Sequence, residues 1–307
     1  MDTRSFTYKA SDGVEIYAKK WSTDEKPRAI VQIAHGMAEH IERYDDFAKS
    51  LLASGFIVYG NDHRGHGKTI ATNGTLGYFD DEQGFEKVAN DMWTLTEIIE
   101  KEYPEIPIFL FGHSMGSFLA RRYIQLHGNR LAGVILCGTG GDPGIVGKIG
   151  KLLASREVKK RGRRTQSPML NNLIFGNYNK PFRPGRTDFD WLSRSEPEVD
   201  KYIEDPLCGE VFTTGFYYDL LDGLAVINKP DNIRFTPSDL PIFLISGSED
   251  PVGNHTKGVL QAYRAYQRAG IKDITNKFYE GARHELLNET NKEEVYEDVI
   301  GWIESHL

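Results

Sequence analysis

The sequence predicts an α/β fold in which helices flank a mostly parallel sheet of eight strands. Short apolar runs rich in β-branched and aromatic residues alternate along the chain with segments of helical periodicity, and this alternation is typical of parallel sheets covered on both faces. The alternation fails between residues 138 and 237, where helical pieces and loops rich in Pro, Asn, Gly and aromatic residues separate two predicted strands. We therefore predict an insertion over the carboxyl edge of the sheet, where ligands bind in such folds.

The predicted elements before the insertion follow from local patterns. Residues 6–9 and 14–18 alternate around Ser11-Asp12-Gly13, which indicates a β-hairpin with an Asp-Gly turn. A long amphipathic helix at 84–103 carries one apolar stripe and ends before Pro104. The remaining elements of this half are a strand at 29–34, a helix through 44–52, and strands at 56–59, 108–111 and 131–137.

After the insertion the alternation resumes with a strand at 240–245, a helix at 256–269, a strand at 277–279 and a terminal helix to His306. We assign residues 1–138 and 238–307 to the core, and residues 139–237 to an inserted, mainly helical lid. A separate folded domain is the alternative for the insertion, but this segment lacks a core pattern of its own.

Composition and charge exclude several classes of function. The net charge is −7, which argues against nucleic-acid binding. No run approaches the ~18 apolar residues that cross a bilayer, and the first six residues lack the apolar region of a secretion signal. Cys137 and Cys208 form no spacing motif, so we expect free thiols and a cytoplasmic location. We expect no cofactor and no metal, because phosphate-loop and dinucleotide motifs are missing and His63 and His66 lack a third ligand.

One strand–turn–helix segment contains the candidate nucleophile. The apolar run at 108–111 leads into Gly112-His113-Ser114-Met115-Gly116, and residues 118–124 have helical spacing. This context is that of a nucleophile elbow, in which a tight turn presents a serine hydroxyl at the N-terminal end of a helix. The two glycines remove Cβ atoms that would collide in the turn. A chance glycine-rich turn is the alternative, but the flanking strand and helix favour Ser114 as a nucleophile.

A serine nucleophile needs a base, and the base needs an orienting acid. His284 follows the last predicted strand, and we predict that it is the base. The strand at 240–245 leads into Ser246-Gly247-Ser248-Glu249-Asp250, which offers two carboxylates. We predict Asp250 as the acid, because its shorter side chain suits a fixed bond to the imidazole. We interpret Glu249 as a helix N-cap.

Two backbone N–H groups are predicted to stabilise an oxyanion at this site. One belongs to Met115, which follows the nucleophile, and the other belongs to Met37, in the loop after the third strand. The side chains at these positions matter little for this role, since only the amides donate hydrogen bonds.

Five motifs together resemble those of α/β-hydrolases in order and spacing. They are His35-Gly36-Met37-Ala38-Glu39-His40, Asp62-His63-Arg64-Gly65-His66-Gly67, and residues 112–116, 247–250 and 281–284. Within that superfamily the chain resembles the monoacylglycerol lipase and lysophospholipase group, also described as serine aminopeptidase S33, and its lid resembles that of bacterial members. The resemblance implies an α/β-hydrolase fold with Ser114, Asp250 and His284 as the triad and Met37 and Met115 as the oxyanion hole.

The predicted lid has a strongly basic segment. Residues 148–164 contain eight basic side chains and one acidic side chain, a local charge of +7. Apolar residues interleave with them and predict a basic amphipathic helix. Such a helix would rest transiently on an anionic membrane surface or attract an anionic substrate; a solvated face covering the core is the alternative. The basic residues are Lys148, Lys151, Arg156, Lys159, Lys160, Arg161, Arg163 and Arg164.

A second part of the lid is rich in aromatic residues. Phe212, Phe216, Tyr217 and Leu221 are predicted to line an apolar acyl-binding pocket. Attachment of the lid to the sheet is the alternative role for these side chains.

These features predict a serine hydrolase that cleaves carboxylic esters through an acyl-enzyme. The resemblance implies a small-molecule or lipid ester substrate, such as a monoacylglycerol, a lysophospholipid or a short-to-medium acyl ester. An aminopeptidase, an amidase or a thioesterase on the same triad is the alternative among enzymes. A peptidase needs an acidic group for the substrate amine, and the candidates are Glu196, Glu198, Asp200 and Glu204. A non-catalytic binding protein of this fold is less favoured, because the triad is complete.

Overall fold

A sheet of eight strands forms the centre of the computed structural model, which describes residues 2–307 without the side chains of residues 72 and 73. The strands are β1 (Asp2–Lys9), β2 (Glu15–Ser22), β3 (Ala29–Ala34), β4 (Phe56–Asn61), β5 (Ile108–His113), β6 (Gly133–Cys137), β7 (Ile242–Gly247) and β8 (Ile274–Tyr279). Their order across the sheet is β1-β2-β4-β3-β5-β6-β7-β8. The predicted number of strands is confirmed.

Helices connect the strands and cover the sheet. The α-helices are α1 (Asp45–Ala53), α2 (Ile70–Asn73), α3 (Gly84–Glu102), α4 (Met115–His127), α5 (Gly144–Arg161), α6 (Pro168–Phe175), α7 (Glu196–Glu204), α8 (Thr214–Ile227), α9 (Pro230–Ile233), α10 (Lys257–Ala269) and α11 (Lys292–Glu304). Short 3-10 helices occupy Ile41–Tyr44, Gly67–Thr69, Gly128–Arg130, Lys180–Phe182 and Leu286–Asn288. No helix among the described residues has the length and apolar character needed to span a membrane.

The sheet is mostly parallel, as the sequence predicts. β1 and β2 form the predicted hairpin, and β2 pairs antiparallel with β4. The other neighbouring strands pair in parallel. β3 to β7 are buried at every position, as expected for strands covered on both faces. Because parallel strands end at the same edge, the loops that follow β3, β5, β7 and β8 meet there.

Two apolar cores lie on opposite faces of the sheet. Along β5, Leu110 joins the core formed with α3, α4 and α8, whereas Phe109 and Phe111 join the core formed with α1 and α11. Along β7, Leu244 joins the first core and Phe243 joins the second. Successive side chains of a strand point to opposite faces. A strand with a core on each face must therefore be apolar at every position.

The segment between β6 and β7 contributes helices α5 to α9. Helix α8 packs against α3 and α4, and its Phe216 and Tyr217 belong to the same core as Leu110 of β5. Helix α5 packs against α8, and α6 packs against α5. The inserted segment is thus layered: α8 lies next to the core helices, and α5 and α6 lie outside it.

Three buried histidines follow the ends of β3 and β4. The backbone N–H of His63 donates a hydrogen bond to Nε2 of His35 at 2.9 Å. The centroids of the two imidazole rings lie 4.2 Å apart. The His66 ring packs edge-on against Phe212 at 4.8 Å. Burial lowers the pKa of His63 and of His66 to about 3, and it holds the pKa of His35 well below its usual value. The three imidazoles are therefore neutral in the folded protein near pH 7.

We expect His66→Phe to make the protein less sensitive to acid. The unfolded chain protonates this histidine below about pH 6.5, but the folded chain does so only near a pKa of about 3. The neutral His66 therefore contributes its full stabilisation above the pKa of the unfolded chain. This stabilisation decreases as the pH falls from there toward the pKa of the folded chain. One such group lowers the free energy of unfolding by about 1.4 kcal/mol between about pH 7.5 and 5.5.

Urea unfolding at both pH values measures this effect. His306→Phe, at the partly exposed C-terminal end, controls for the loss of a histidine from the surface. The explanation fails if wild type and His66→Phe lose the same free energy of unfolding between the two pH values.

Candidate active site

Ser114, His284 and Asp250 meet at the carboxyl edge of the sheet, in the loops after β5, β8 and β7. Ser114 Oγ is 2.8 Å from His284 Nε2, and His284 Nδ1 is 2.9 Å from each carboxylate oxygen of Asp250. A carboxylate only accepts hydrogen bonds, so Nδ1 carries the ring proton and donates a hydrogen bond to Asp250. Nε2 is then free to accept a hydrogen bond from the Ser114 hydroxyl. The structure brings together the three residues that the sequence predicts as nucleophile, base and acid.

The backbone at Ser114 is strained, and its neighbours hold it in place. Ser114 has φ 53° and ψ −120°, a conformation that L-residues rarely adopt. A Cβ on Gly116 would lie 2.0 Å from the Ala34 carbonyl oxygen, and one on Gly112 would lie 2.6 Å from the Gly116 carbonyl oxygen. Glycine is therefore required at both positions. The Ser117 hydroxyl donates to the Ser114 carbonyl at 2.6 Å, which fixes the turn further.

Asp250 and Glu249 occupy different environments. Asp250 is fully buried, and its Oδ1 accepts a hydrogen bond from the Val252 N–H at 2.8 Å. The Glu249 side chain is 48% exposed and lies 3.6 Å from His255. The predicted N-cap role of Glu249 is wrong, because the next helix, α10, begins only at Lys257. The geometry places Asp250, and not Glu249, against the imidazole.

The loop after β3 lies beside the nucleophile. A Cβ on Gly36 would lie 3.1 Å from the Ser114 Cβ, so the loop and the turn are in close contact. Met37 and Met115 line the cavity that contains Ser114. Within residues 2–307, neither of these two backbone amides has a hydrogen-bond partner. Both amides are therefore available to a ligand oxygen in the cavity.

A buried charge network connects the loops around Ser114. Oε1 of Glu39 accepts hydrogen bonds from the Gly36 N–H at 2.5 Å and from Nδ1 of His113 at 2.9 Å. Arg43 donates to Glu39 at 2.9 Å and makes two bonds of 2.7 Å to Glu285, the residue after the predicted base. Burial opposes a charge on His113, but the hydrogen bond and the attraction to Glu39 raise its pKa above the usual value. This network was not predicted from the sequence, although Glu39 and His113 lie within two of the motifs described above.

A cavity of about 940 Å³ contains Ser114 and His284. Its wall comes from the loop after β3, the start of α4 and the segment between β6 and β7. Mainly apolar cavities of this size accommodate small-molecule ligands. The apolar residues that line it include Phe118, Val146, Ile149, Leu173, Trp191 and Leu221.

Of the four residues predicted to line the acyl-binding pocket, only Leu221 lies in the wall of the cavity. Leu221 lines the cavity, but Phe212, Phe216 and Tyr217 are absent from the lining in the described part of the chain. The Phe212 and Phe216 rings lie 4.6 Å apart and belong to the main core, together with Phe79. This corrects the prediction for the three aromatic residues. They fix α8 to the core, which is the alternative role considered for them.

Helix α5 holds most of the basic segment, and four of its apolar side chains, Ile145, Val146, Ile149 and Leu152, are exposed. Ile145 is 75% exposed and Val146 is 77% exposed. The residues that α5 buries are the small Gly150 and Ala154. Helix α5 also packs against α8, and Ala154 and Leu153 contact the main core. The alternative, a solvated basic face on a helix that covers the core, therefore stays open. Val146 also lines the cavity, so the exposed apolar surface reaches the cavity that contains Ser114.

Comparison with known proteins agrees with this geometry. A family model described as serine aminopeptidase S33 matches residues 25–291. The chain belongs to this family of α/β-hydrolases. Mouse monoglyceride lipase is 29% identical to this S33 hydrolase over 302 residues, which are 97% of the chain and 89% of the mouse protein. The monoacylglycerol lipase of Mycolicibacterium smegmatis is 29% identical over 300 residues, which are 96% of the chain and 95% of that relative.

Solved structures are similar over the whole chain. The crystal structure of a thermostable carboxyl esterase from Bacillus coagulans, in complex with glycerol, matches this S33 hydrolase with a TM-score of 0.92. The two sequences are 30% identical, and the match covers 99% of each chain. A lipase structure in an open form matches with a TM-score of 0.89 at 28% identity. The α/β-hydrolase fold that the resemblance implies is thereby confirmed.

We expect Glu39→Gln to lower the turnover of this S33 hydrolase more than its affinity for substrate. The substitution keeps the shape of the side chain but removes the charge that attracts His113 and Arg43. The loop that contains Met37 then loses a fixed anchor, and kcat should fall about 10- to 100-fold with little change in KM. Steady-state kinetics on a p-nitrophenyl ester measures both constants. Glu42→Gln, at a partly exposed position nearby, is the control. A raised KM at unchanged kcat would argue against a positioning role.

Proposed function

We propose that this carboxylic ester hydrolase uses Ser114 as nucleophile, His284 as general base and Asp250 as orienting acid. The observation that carries the proposal is the continuous chain of hydrogen bonds from the Ser114 hydroxyl, through both ring nitrogens of His284, to Asp250. A serine hydroxyl alone is a weak nucleophile. A base at 2.8 Å allows its proton to leave as the oxygen attacks.

The proposed reaction has two stages. Ser114 Oγ attacks the ester carbonyl carbon while Nε2 of His284 takes the hydroxyl proton. Nε2 then gives this proton to the departing alcohol, and the acyl group stays on Ser114. Water attacks the acyl carbon in the same way, with His284 as base, and releases the carboxylic acid. Asp250 orients the imidazole and stabilises the imidazolium without taking a proton.

We propose that the amides of Met37 and Met115 bind the oxyanion of both tetrahedral intermediates. Their lack of partners within the described residues supports this role, because a donor already in use could not turn to the developing charge. One such donor is typically worth ~3 kcal/mol of transition-state stabilisation. The N-terminal end of α4 lies at the same place and adds the favourable field of its helix dipole.

We propose a substrate with one acyl chain on a small alcohol, such as a monoacylglycerol, a lysophospholipid or a short-to-medium acyl ester. The mainly apolar cavity supports this choice, because each buried methylene contributes up to ~0.8 kcal/mol. The mouse and mycobacterial relatives bear the names of lipases of this class. The Bacillus coagulans esterase holds glycerol, the alcohol part of such a substrate.

A peptidase, amidase or thioesterase on the same three residues is the alternative. The four acids predicted to bind a substrate amine lie on α7 and are absent from the lining of the cavity in the described chain. Asp200 pairs with Arg186 at 2.6 Å, and Glu198 pairs with Lys201 at 2.9 Å. These contacts argue against the four predicted acids as the group that binds a substrate amine. Parallel assays on p-nitrophenyl esters and aminoacyl anilides separate the two activities.

We also propose that residues 139–237 act as a lid that contacts anionic lipid transiently. Helix α5 supports this role, because it exposes apolar side chains next to exposed basic ones. The exposed basic residues of this helix are Lys148, Arg156, Lys159, Lys160 and Arg161. A cytoplasmic location stays a prediction from the sequence.

Ser114→Ala should abolish ester hydrolysis and covalent labelling by a fluorophosphonate. The substitution removes the one oxygen that forms the acyl bond, while the small side chain leaves the turn packed as before. Circular dichroism checks the fold, and Ser117→Ala, three residues along the chain, should still be labelled. One equivalent of label on Ser114→Ala would refute the proposed nucleophile.

Asp250→Asn should lower kcat by roughly 10⁴-fold without loss of the fold. An amide at this position donates to Nδ1, so the ring proton moves to Nε2, which can no longer accept the serine proton. Glu249→Gln is the matched control at the adjacent position, with an expected change in kcat below about threefold. Steady-state kinetics measures both variants, and the opposite ranking would identify Glu249 as the acid.

Leu221→Ala should change the preferred acyl-chain length, and Phe216→Ala should not. Leu221 lines the cavity, and each methylene that gains contact with the wall should change kcat/KM about fourfold. Phe216 is fully buried in the core, so its truncation should cost about 3–5 kcal/mol of stability and leave the profile unaltered. A homologous ester series and thermal unfolding measure the two effects. If Phe216→Ala changed the preferred acyl-chain length and Leu221→Ala did not, the aromatic residues would line the acyl-binding pocket after all.

A further inference from the structure

The geometry points to a zinc-type metal site formed by His40, Asp205 and Cys208. One ligand atom from each residue lies within 4.8 Å of the other two, and Nε2 of His40 is 2.8 Å from Oδ2 of Asp205. His40 belongs to the loop after β3, whereas Asp205 and Cys208 follow α7. Among the described residues, no other group of three histidine, cysteine or acidic side chains has its ligand atoms this close together.

The donor set selects the kind of ion. An imidazole nitrogen, a thiolate sulfur and a carboxylate oxygen are ligands that Zn²⁺ accepts in a tetrahedral arrangement, whereas Mg²⁺ and Ca²⁺ require mainly oxygen. Bonds of about 2.0–2.3 Å to a common ion place such ligand atoms roughly 3–4 Å apart. The cluster reaches this spacing through a small adjustment of its side chains. Three protein ligands leave the fourth position to a water molecule.

Charged side chains surround the cluster. The charged groups that act on Cys208 are the carboxylates of Asp205, Glu39 and Glu285 and the guanidinium of Arg43. Arg43 is already paired with Glu39 at 2.9 Å and with Glu285 at 2.7 Å. Among these charges the Arg43 guanidinium acts most strongly on the thiol, and it favours the thiolate, the form that binds a metal. The Asp205 carboxylate is therefore available to bind either His40 or a metal ion.

Zinc binding exchanges a proton for the metal. An ordinary cysteine thiol is mostly protonated near pH 7 in the absence of a metal. On binding, the S–H bond breaks, the electron pair stays on sulfur and forms the Zn–S bond, and one proton passes to the solvent. In the metal-free site Nε2 of His40 carries a proton, because the Asp205 carboxylate can only accept a hydrogen bond. This proton moves to Nδ1 through the solvent, so His40 binds as a neutral imidazole through Nε2, and Asp205 binds through Oδ2. These two atoms exchange their mutual hydrogen bond for bonds to the ion.

The site has both an entry path and a fixed carboxylate. The Asp205 side chain is 28% exposed, whereas His40 and Cys208 are buried. The ion therefore enters from the Asp205 side. Oδ1 of Asp205 accepts a hydrogen bond from the Leu207 N–H at 2.9 Å, which holds the carboxylate in place. Such supporting bonds orient metal ligands and strengthen metal binding.

A bound ion joins two loops near the proposed oxyanion hole. The Gly209 N–H donates to the Ala38 carbonyl at 3.1 Å, and this bond is the backbone contact between the same loops. Ala38 lies between Met37 and His40 in the chain. The ion thus ties the inserted segment to the loop that contains Met37. It also stabilises the folded state by mass action.

Titration of the full-length chain with Co²⁺ tests the site without using activity. Co²⁺ replaces Zn²⁺ in such sites, and its bond to a thiolate gives a charge-transfer absorption. We expect this absorption to saturate at one equivalent and to disappear when Zn²⁺ is added. A lack of saturable thiolate absorption up to about 1 mM Co²⁺ overturns the site.

Four variants locate the ligands. Cys208→Ser should lose the absorption, and Cys137→Ser, at the other buried cysteine, should keep it. His40→Gln and Asp205→Asn should each weaken the apparent Co²⁺ affinity at least about tenfold. Because Asp205 is partly exposed, Asp205→Asn keeps the test decisive if Cys208→Ser does not fold. The site is refuted if the absorption survives Cys208→Ser, is lost in Cys137→Ser, or is unchanged in Asp205→Asn.

Discussion

The close backbone contact at the turn that presents Ser114 determines how the rest of the site is built. Helix α4 begins directly after β5, and this is sterically allowed only because Gly116 lies against the carbonyl of Ala34, at the end of the neighbouring strand. The same contact brings the loop that contains Met37 beside the turn. The positive φ of Ser114 persists because β5 is hydrogen-bonded to β3 on one side and to β6 on the other. Relaxation of the turn would disrupt the centre of the sheet.

Buried charges then fix the loops around this turn. Glu39, Arg43 and Glu285 are each at most 11% exposed at the side chain and form one connected set with His113. Ion pairs of this kind add little net stability, since the loss of hydration offsets their attraction. Their value lies in geometry, because a misplaced loop would leave a charge buried without a partner, which is strongly unfavourable. The network therefore selects one arrangement of three loops that are far apart in the chain.

The sheet and the three central side chains were predictable because their signals are local. A strand buried on two faces must be apolar throughout, and Ser114 stands in a strand, turn and helix that follow one another directly. Contacts between distant residues leave no such signal: Arg43 and Glu285 are 242 positions apart. The prediction of the acyl-binding residues was wrong for a related reason. Phe216 and Leu221 share α8, and only the rotation of that helix against the core decides which of them reaches the cavity.

The attachment of α8 determines which part of the inserted segment could be exchanged between members of this family. A Cβ on Gly223 would lie 2.4 Å from the Phe85 ring, so α8 and α3 are in contact without intervening space. A chimera that replaced everything between β6 and β7 would therefore remove part of the recipient's own core. Junctions placed after β6 and before Thr214 would leave α8 with the sheet. The modular unit for cap exchange is thus shorter than the stretch that interrupts the alternating pattern of the sequence.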